Sequence, residues 1–176
     1  IVGQNQTVLI ADTAVTERPT AEVLAAIATR SAAFARRMGQ EPRVAFVSYT
    51  TFGNPPGAYV DNLREAVQLL DGRKVDFEYE GEMAPDLALN HDMQRRFYPF
   101  SRLSGPANIL IMPGLQSASL SAKLLRALGG ENVLGPFLIG MKLPVQIAPM
   151  TAGASDLVTL AVLAAGAVER AGRKRG

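Results

Sequence analysis

The sequence predicts an α/β fold of three layers, with a mainly parallel sheet between two layers of helices. Three observations carry that prediction. Short apolar runs alternate along the chain with amphipathic stretches of helical period, the order expected of strand–helix–strand units. The apolar runs are continuous, as in strands covered on both faces, and do not alternate with polar residues. Of 176 residues, 48% are hydrophobic and only 19% charged, which suffices to bury the core of one domain or a little more.

Thr7 to Ala11 (TVLIA) reads as a buried strand that runs into a loop at Asp12-Thr13. Thr20 can cap the helix that follows, with Glu22 in its first turn, and Val23, Leu24, Ile27, Ser31, Phe34, Ala35 and Met38 recur at helical spacing up to Gly39. Arg43 to Ser48 is a second strand, followed by a Gly/Pro-rich loop from Thr50 to Gly57, and Val60, Leu63, Val67 and Leu70 mark a helix closed by Asp71-Gly72. Lys74 to Tyr79 alternates and predicts a half-exposed strand near an edge; Pro85 to Phe97 predicts one helix, and Tyr98 to Pro106 an irregular connector. Asn108 to Met112 is a fully buried strand with an exit loop at Pro113 to Ser117, and Leu120, Leu124, Leu125 and Leu128 build a helix stopped by Gly129-Gly130. Two more strands, Phe137 to Met141 and Val145 to Pro149, and a helix from about Ser155 to Arg170 complete the pattern.

Composition excludes several classes of function. There is no cysteine and one histidine, His91, so thiolate nucleophiles, Cys-ligated metals and cages of several imidazoles are ruled out. The formal charge is +2, but without Arg170, Arg173, Lys174 and Arg175 the balance falls to 14 cations against 16 acids. The positive charge thus sits in a basic tail, and with aromatics at 6% no nucleic-acid partner is expected. The nonpolar run Leu160 to Val168 is too short to span a bilayer, so no membrane partner is expected and a cytoplasmic location is the default. Ile1 to Gly3 read like the middle of a polypeptide, so the chain is expected to be a piece of a longer one.

In parallel sheets ligands bind at the carboxyl ends of strands, where loops and helix N-termini present N–H groups. Three loops fit: Ser48-Tyr49-Thr50-Thr51-Phe52-Gly53, Pro113-Gly114-Leu115-Gln116-Ser117, and Thr151 to Asp156. Each can cradle a phosphate, although Ser, Thr and Gly are also ordinary turn chemistry. Glu78, Glu80 and Glu82 alternate and would suit a divalent cation, but a solvated strand face explains them more simply. His91 lacks a partner nucleophile and reads as surface decoration of a helix start.

The ordered motifs go further. Ala11-Asp12-Thr13-Ala14-Val15, Pro19-Thr20-Ala21-Glu22, Pro42-Arg43-Val44-Ala45, Ser48 to Gly53, Gly81-Glu82-Met83, Gly105-Pro106-Ala107-Asn108, Gly129-Gly130, Gly135-Pro136 and Pro144-Val145 together resemble the phosphotransacetylase family. The run Pro99-Phe100-Ser101-Arg102-Leu103-Ser104-Gly105-Pro106-Ala107-Asn108 resembles the version fused behind bacterial NADP-dependent malic enzymes. The resemblance implies an isocitrate/isopropylmalate dehydrogenase-like fold, with residues 1–137 forming a second lobe, residues 138–170 returning to a first lobe absent here, and residues 171–176 forming the tail. It implies a Ser-Arg pair after the Pro-Val strand and an Asp seven positions beyond that Ser: the Arg to meet phosphate charge, the Ser to hold the transition state, the Asp to act as base toward the thiol of coenzyme A. Here Pro149, Met150 and Asp156 stand in those places. Gly114 stands where the family usually has Asn, and Lys142-Leu143 where it often has Asn-Lys.

The expectation is therefore a regulatory, oligomerising phosphotransacetylase-like domain of a malic enzyme. It would sense acetyl-CoA or a related acyl-CoA, associate with itself as a dimer or larger through the last helix, and transfer no acyl group. NADP and a divalent cation, Mg or Mn, would belong to the malate-decarboxylating half of the same chain. The alternatives are an active phosphate acetyltransferase and a scaffold without ligand.

Overall fold

The computed structural model describes residues 7–56, 60–128 and 133–173 apart from Lys142, Pro144, Pro149 and Thr151, with side chains described up to residue 166. The chain divides into two compact units, Ile1–Asn132 and Val133–Gly176.

The first unit holds a four-stranded sheet in the order β1-β4-β2-β3, made of β1 (Leu9–Ala11), β2 (Arg43–Val47), β3 (Glu78–Met83) and β4 (Ile109–Ile111). Every pairing is parallel, with Leu9 opposite Ile109, Val44 opposite Ile109 and Arg43 opposite Glu78. Val44, Phe46, Ile109 and Ile111 face one layer, α1 (Ala21–Arg37) and α2 (Asp61–Arg73). Ala45, Val47, Leu110 and Met112 face the other, which holds α3 (Pro85–Ala88), the connector through Leu103 and the start of α5 (Leu115–Ala127). The crossovers from β1 to β2 and β2 to β3 run over the first face and the return from β3 to β4 over the second. Adjacent strands β2 and β4 therefore send their chains to opposite faces, a switch point of the kind at which open parallel sheets receive ligands. Both strands alternate between two buried faces, so their sequences read as unbroken apolar runs.

Helix α1 begins where expected. Thr20 accepts the N–H of Val23 and donates to Glu22 at 2.8 Å, and its alanines let the helix lie close on the sheet.

Four expectations are corrected. Helix α2 does not stop at Asp71-Gly72 but runs to Arg73 and ends on Lys74 with φ 48°. That consumes the residues expected to begin the next strand, so β3 starts at Glu78 and extends to Met83, although Val75, Phe77 and Tyr79 pack on the first core as their alternation implied. The helix expected over Pro85 to Phe97 is two, because Asn90 is extended and caps α4 (His91–Phe97) by accepting the N–H of Met93. Glu80 and Glu82 are not solvated: they are 5% and 1% exposed.

In the second unit α6 spans Ala154–Arg173. The described residues of the two expected strands, Phe137 to Met141 and Val145 to Pro149, form no ladder; Leu138 N–H instead donates to Gln146 Oε1 at 3.2 Å. A parallel strand gains its ladder only from a neighbouring strand, and among the described residues no strand is formed by these segments. Among the described residues no helix is long and apolar enough to cross a membrane.

Candidate functional site

The loop after β2 is built around a carboxylate. β3 pairs with β2 in steady register until Phe46 meets Gly81; the next pair is Val47 with Met83, which leaves Glu82 as an extra residue at the carboxyl edge. Gly81 is required there, since its φ is 146° and a Cβ would stand 2.7 Å from the Phe46 carbonyl oxygen. The bulge turns Glu82 toward the Ser48–Gly53 loop. Its Oε1 accepts the Gly53 N–H at 2.7 Å and the Thr50 hydroxyl at 3.2 Å, while Arg64 of α2 donates to Oε2 at 2.9 Å and to Oε1 at 3.1 Å. Burial pushes this carboxyl up, but Arg64 and the Gly53 N–H outweigh it and hold it below the ordinary glutamate range.

The loop donors expected to meet an anion, the Gly53 N–H and the Thr50 hydroxyl, are thus engaged by a side chain of the protein itself. The other loop members are engaged too: Ser48 accepts the Thr50 N–H at 3.3 Å, and Thr51 accepts the Ala84 N–H at 3.0 Å. Tyr49 projects outward, 63% exposed.

The loop after β4 is plainer. Gly114 lets the chain pass the Glu17 carbonyl, which a Cβ would approach to 2.9 Å. Leu115 N–H donates to that same oxygen, and the Ser117 hydroxyl donates to Gly114. Pro113 and Ser117 thus sit at the carboxyl end of the strand beside β2, in the same unit as Ser48–Gly53. At the end of β1, Asp12 turns its own loop by accepting the N–H groups of Ala14, Val15 and Thr16; burial raises its carboxyl, and those three donors bring it below the usual aspartate range.

Asp156 belongs to the second unit, where its carboxylate accepts the Gly153 N–H at 3.0 Å in the first turn of α6. The Met150 side chain is fully exposed, and Pro149 and Thr151 lie outside the described residues. His91 opens α4, and its Nδ1 is buried without a hydrogen-bond partner among the described residues.

Sequence reasoning missed Arg64 and misread the glutamates. Each glutamate of β3 has its own partner: Glu78 accepts the Ser104 N–H and hydroxyl, Glu80 accepts the Arg102 N–H and guanidinium, and Glu82 holds Arg64 and the loop. Arg102 also reaches Asp71 at 2.6 Å and lies over the Tyr79 ring at 4.6 Å. The run Ser101 to Asn108 is thereby a clasp: Ser101 donates to Gln94, Pro106 accepts from Arg43, and Asn108 bonds Arg43 and Glu41. A glycine amid an alternating acidic strand was the available signal, because it marks a bulge that moves the next side chain to a new face.

A parallel sheet covered on both faces, with hydroxyl- and glycine-bearing loops at a switch point, defines an α/β domain of the kind that receives ligands at its carboxyl edge. The chain belongs to the phosphate acetyl/butaryl transferase family, whose description matches residues 1–165. It is 55% identical over 162 residues to an NADP-dependent malic enzyme of Rhizobium meliloti, a match covering 92% of this chain and 21% of that protein. It is 39% identical over 145 residues to a phosphate acetyltransferase of Thermoanaerobacterium thermosaccharolyticum, covering 82% of this chain and 44% of that one. Among solved structures, the EutD phosphotransacetylase from Staphylococcus aureus superposes with a TM-score of 0.84 at 28% identity, over 94% of this chain and 51% of that chain. The chain thus spans about a fifth of the malic enzyme and under half of the phosphate acetyltransferase.

Proposed function

We propose that this chain acts as the phosphotransacetylase-like module of a malic enzyme, binding acetyl-CoA as a regulatory ligand and promoting self-association, without transferring the acyl group. The observation that carries this reading is the side-chain chemistry at Pro149 and Met150. Acyl-phosphate chemistry depends on donors and cations fixed where charge develops. A proline has no hydroxyl and a thioether no charge, so the two groups that the resemblance implies for the transition state are both missing. Asp156 alone keeps its type, and its carboxylate serves the first turn of α6.

The 55% identity to an NADP-dependent malic enzyme supports placing the module beside a malate-decarboxylating half, which would carry NADP and the Mg or Mn ion. The exposed leucines of α5, Leu120, Leu124 and Leu125, with Leu128 at its C-cap, support a surface made for association. Acyl-CoA binding is supported by the switch point between β2 and β4, after whose carboxyl ends Ser48, Tyr49, Thr51, Pro113 and Ser117 follow in the chain.

The test is release of the coenzyme A thiol from acetyl-CoA and phosphate by the full chain. Losing one preorganised donor costs about a hundred- to thousandfold, so turnover below one-hundredth that of an active phosphate acetyltransferase is expected. Turnover comparable to such an enzyme overturns the reading.

A further inference from the structure

We infer that Phe100, with Phe52 and Tyr98 beneath it and Arg95 and Arg96 beside it in sequence, forms a docking platform for the adenosine 3′,5′-bisphosphate end of an acyl-CoA. The inference deepens the acyl-CoA reading and rests on it for the identity of the nucleotide.

The platform is anchored from below. Phe52 sits in the Ser48–Gly53 loop at φ 45°, its N–H donating to the Glu82 carbonyl at 2.9 Å. A non-glycine residue keeps that conformation only where its surroundings hold it. Phe52 and Tyr98 pack on the second core, with ring centroids 5.3 Å apart. Phe100 stands edge-on to both, at 4.9 Å and 6.0 Å, yet remains 64% exposed. A large ring held rigidly by two others and left in water is an unfilled stacking position, since a purine can cover its face at little cost in conformational freedom.

The charge that precedes the platform in the chain has the matching sign. Arg95 and Arg96 occupy the last turn of α4, just before Tyr98, and both are exposed. Neither forms an ion pair among the described residues; Arg96 lies over the Phe97 ring at 5.2 Å. An aromatic platform with two exposed guanidinium groups outside any ion pair among the described residues suits a purine that carries phosphates. Phe52 is also part of the loop after β2, so a nucleotide on Phe100 would lead its acyl arm toward the carboxyl ends of β2 and β4.

The experiment titrates the full chain with acetyl-CoA, with adenosine 3′,5′-bisphosphate and with acetylpantetheine, which lacks the nucleotide. Phe100→Ala should weaken acetyl-CoA and the bisphosphate by about tenfold or more and leave acetylpantetheine unchanged, while Phe100→Trp retains binding. The Arg95→Gln, Arg96→Gln double variant should weaken both phosphorylated ligands and flatten their salt dependence. Thermal unfolding of each variant separates loss of binding from loss of fold. If wild type binds the bisphosphate but not acetyl-CoA, the acyl-CoA reading fails and the platform stands. Failure of the bisphosphate to bind wild type at millimolar concentration, or binding unchanged by Phe100→Ala, overturns the platform whatever acetyl-CoA does.

Discussion

The loops that leave β2 and β4 read alike in sequence, each a short stretch of small, hydroxyl-bearing and glycine residues at the end of a buried strand, and the structure makes them opposites. After β2 the donors converge on Glu82, so the loop is a closed charge-assisted cluster before any ligand arrives. After β4 nothing is gathered; Gly114 only clears the Glu17 carbonyl, and Ser117 folds back on Gly114. Residue type tells what a loop can donate. Whether the donors are already committed depends on a side chain from another strand.

Breaking the first loop should have the largest effect. Glu82→Ala strips the acceptor from a part-buried N–H, a buried hydroxyl and a half-buried guanidinium, and should cost about 3 kcal/mol of unfolding free energy in urea titration. Ser117→Ala, its counterpart after β4, should cost under about 0.5 kcal/mol, because its hydroxyl serves only the local turn. Comparable losses at the two positions would erase the contrast. Gly114→Ala falls between, at about 1–3 kcal/mol, since the new Cβ must push on backbone at Glu17.

Acid sharpens the same comparison. The carboxyl of Glu82 lies below its ordinary range when folded, with burial opposing and the Arg64 and Gly53 donors prevailing. Its contribution is thus complete above about pH 4.3, the ordinary glutamate value, and is lost as the pH falls from there through the folded pKa. Glu82→Gln should make unfolding free energy less steep in that window and leave it flat, as before, above pH 6. An unchanged acid slope would mean the carboxylate is not held by these partners.

The smallest effect is expected on the far side of the first core. Ser31 is buried in α1 with a hydroxyl that lacks a partner among the described residues. Ser31→Ala should therefore leave the melting temperature unchanged or raise it slightly, because no hydrogen bond is lost and an unsatisfied polar group is removed.

These contrasts show where a reading of the chain succeeds. The buried strands β2 and β4 and helix α1 were legible because both cores impose one pattern on consecutive residues, and Thr20 and Gly39 mark the ends of α1. The end of α2 was not, because Asp71-Gly72 looks like a stop while the chain turns only at Lys74. The glutamates of β3 were misread because alternation normally means solvent on one face; here an edge strand spends its carboxylates on Arg64, Arg102 and Ser104, which are distant in sequence. The Arg102 run, recognisable as a family signature, proved to be the clasp over that strand.

Isothermal titration of the full chain with acetyl-CoA, in phosphate buffer and with free thiol assayed in the same cell afterwards, tests binding without transfer most directly. The account predicts a saturable heat with no thiol released beyond the enzyme-free control. Thiol accumulating at each injection, or no heat at all up to millimolar acetyl-CoA, would contradict it.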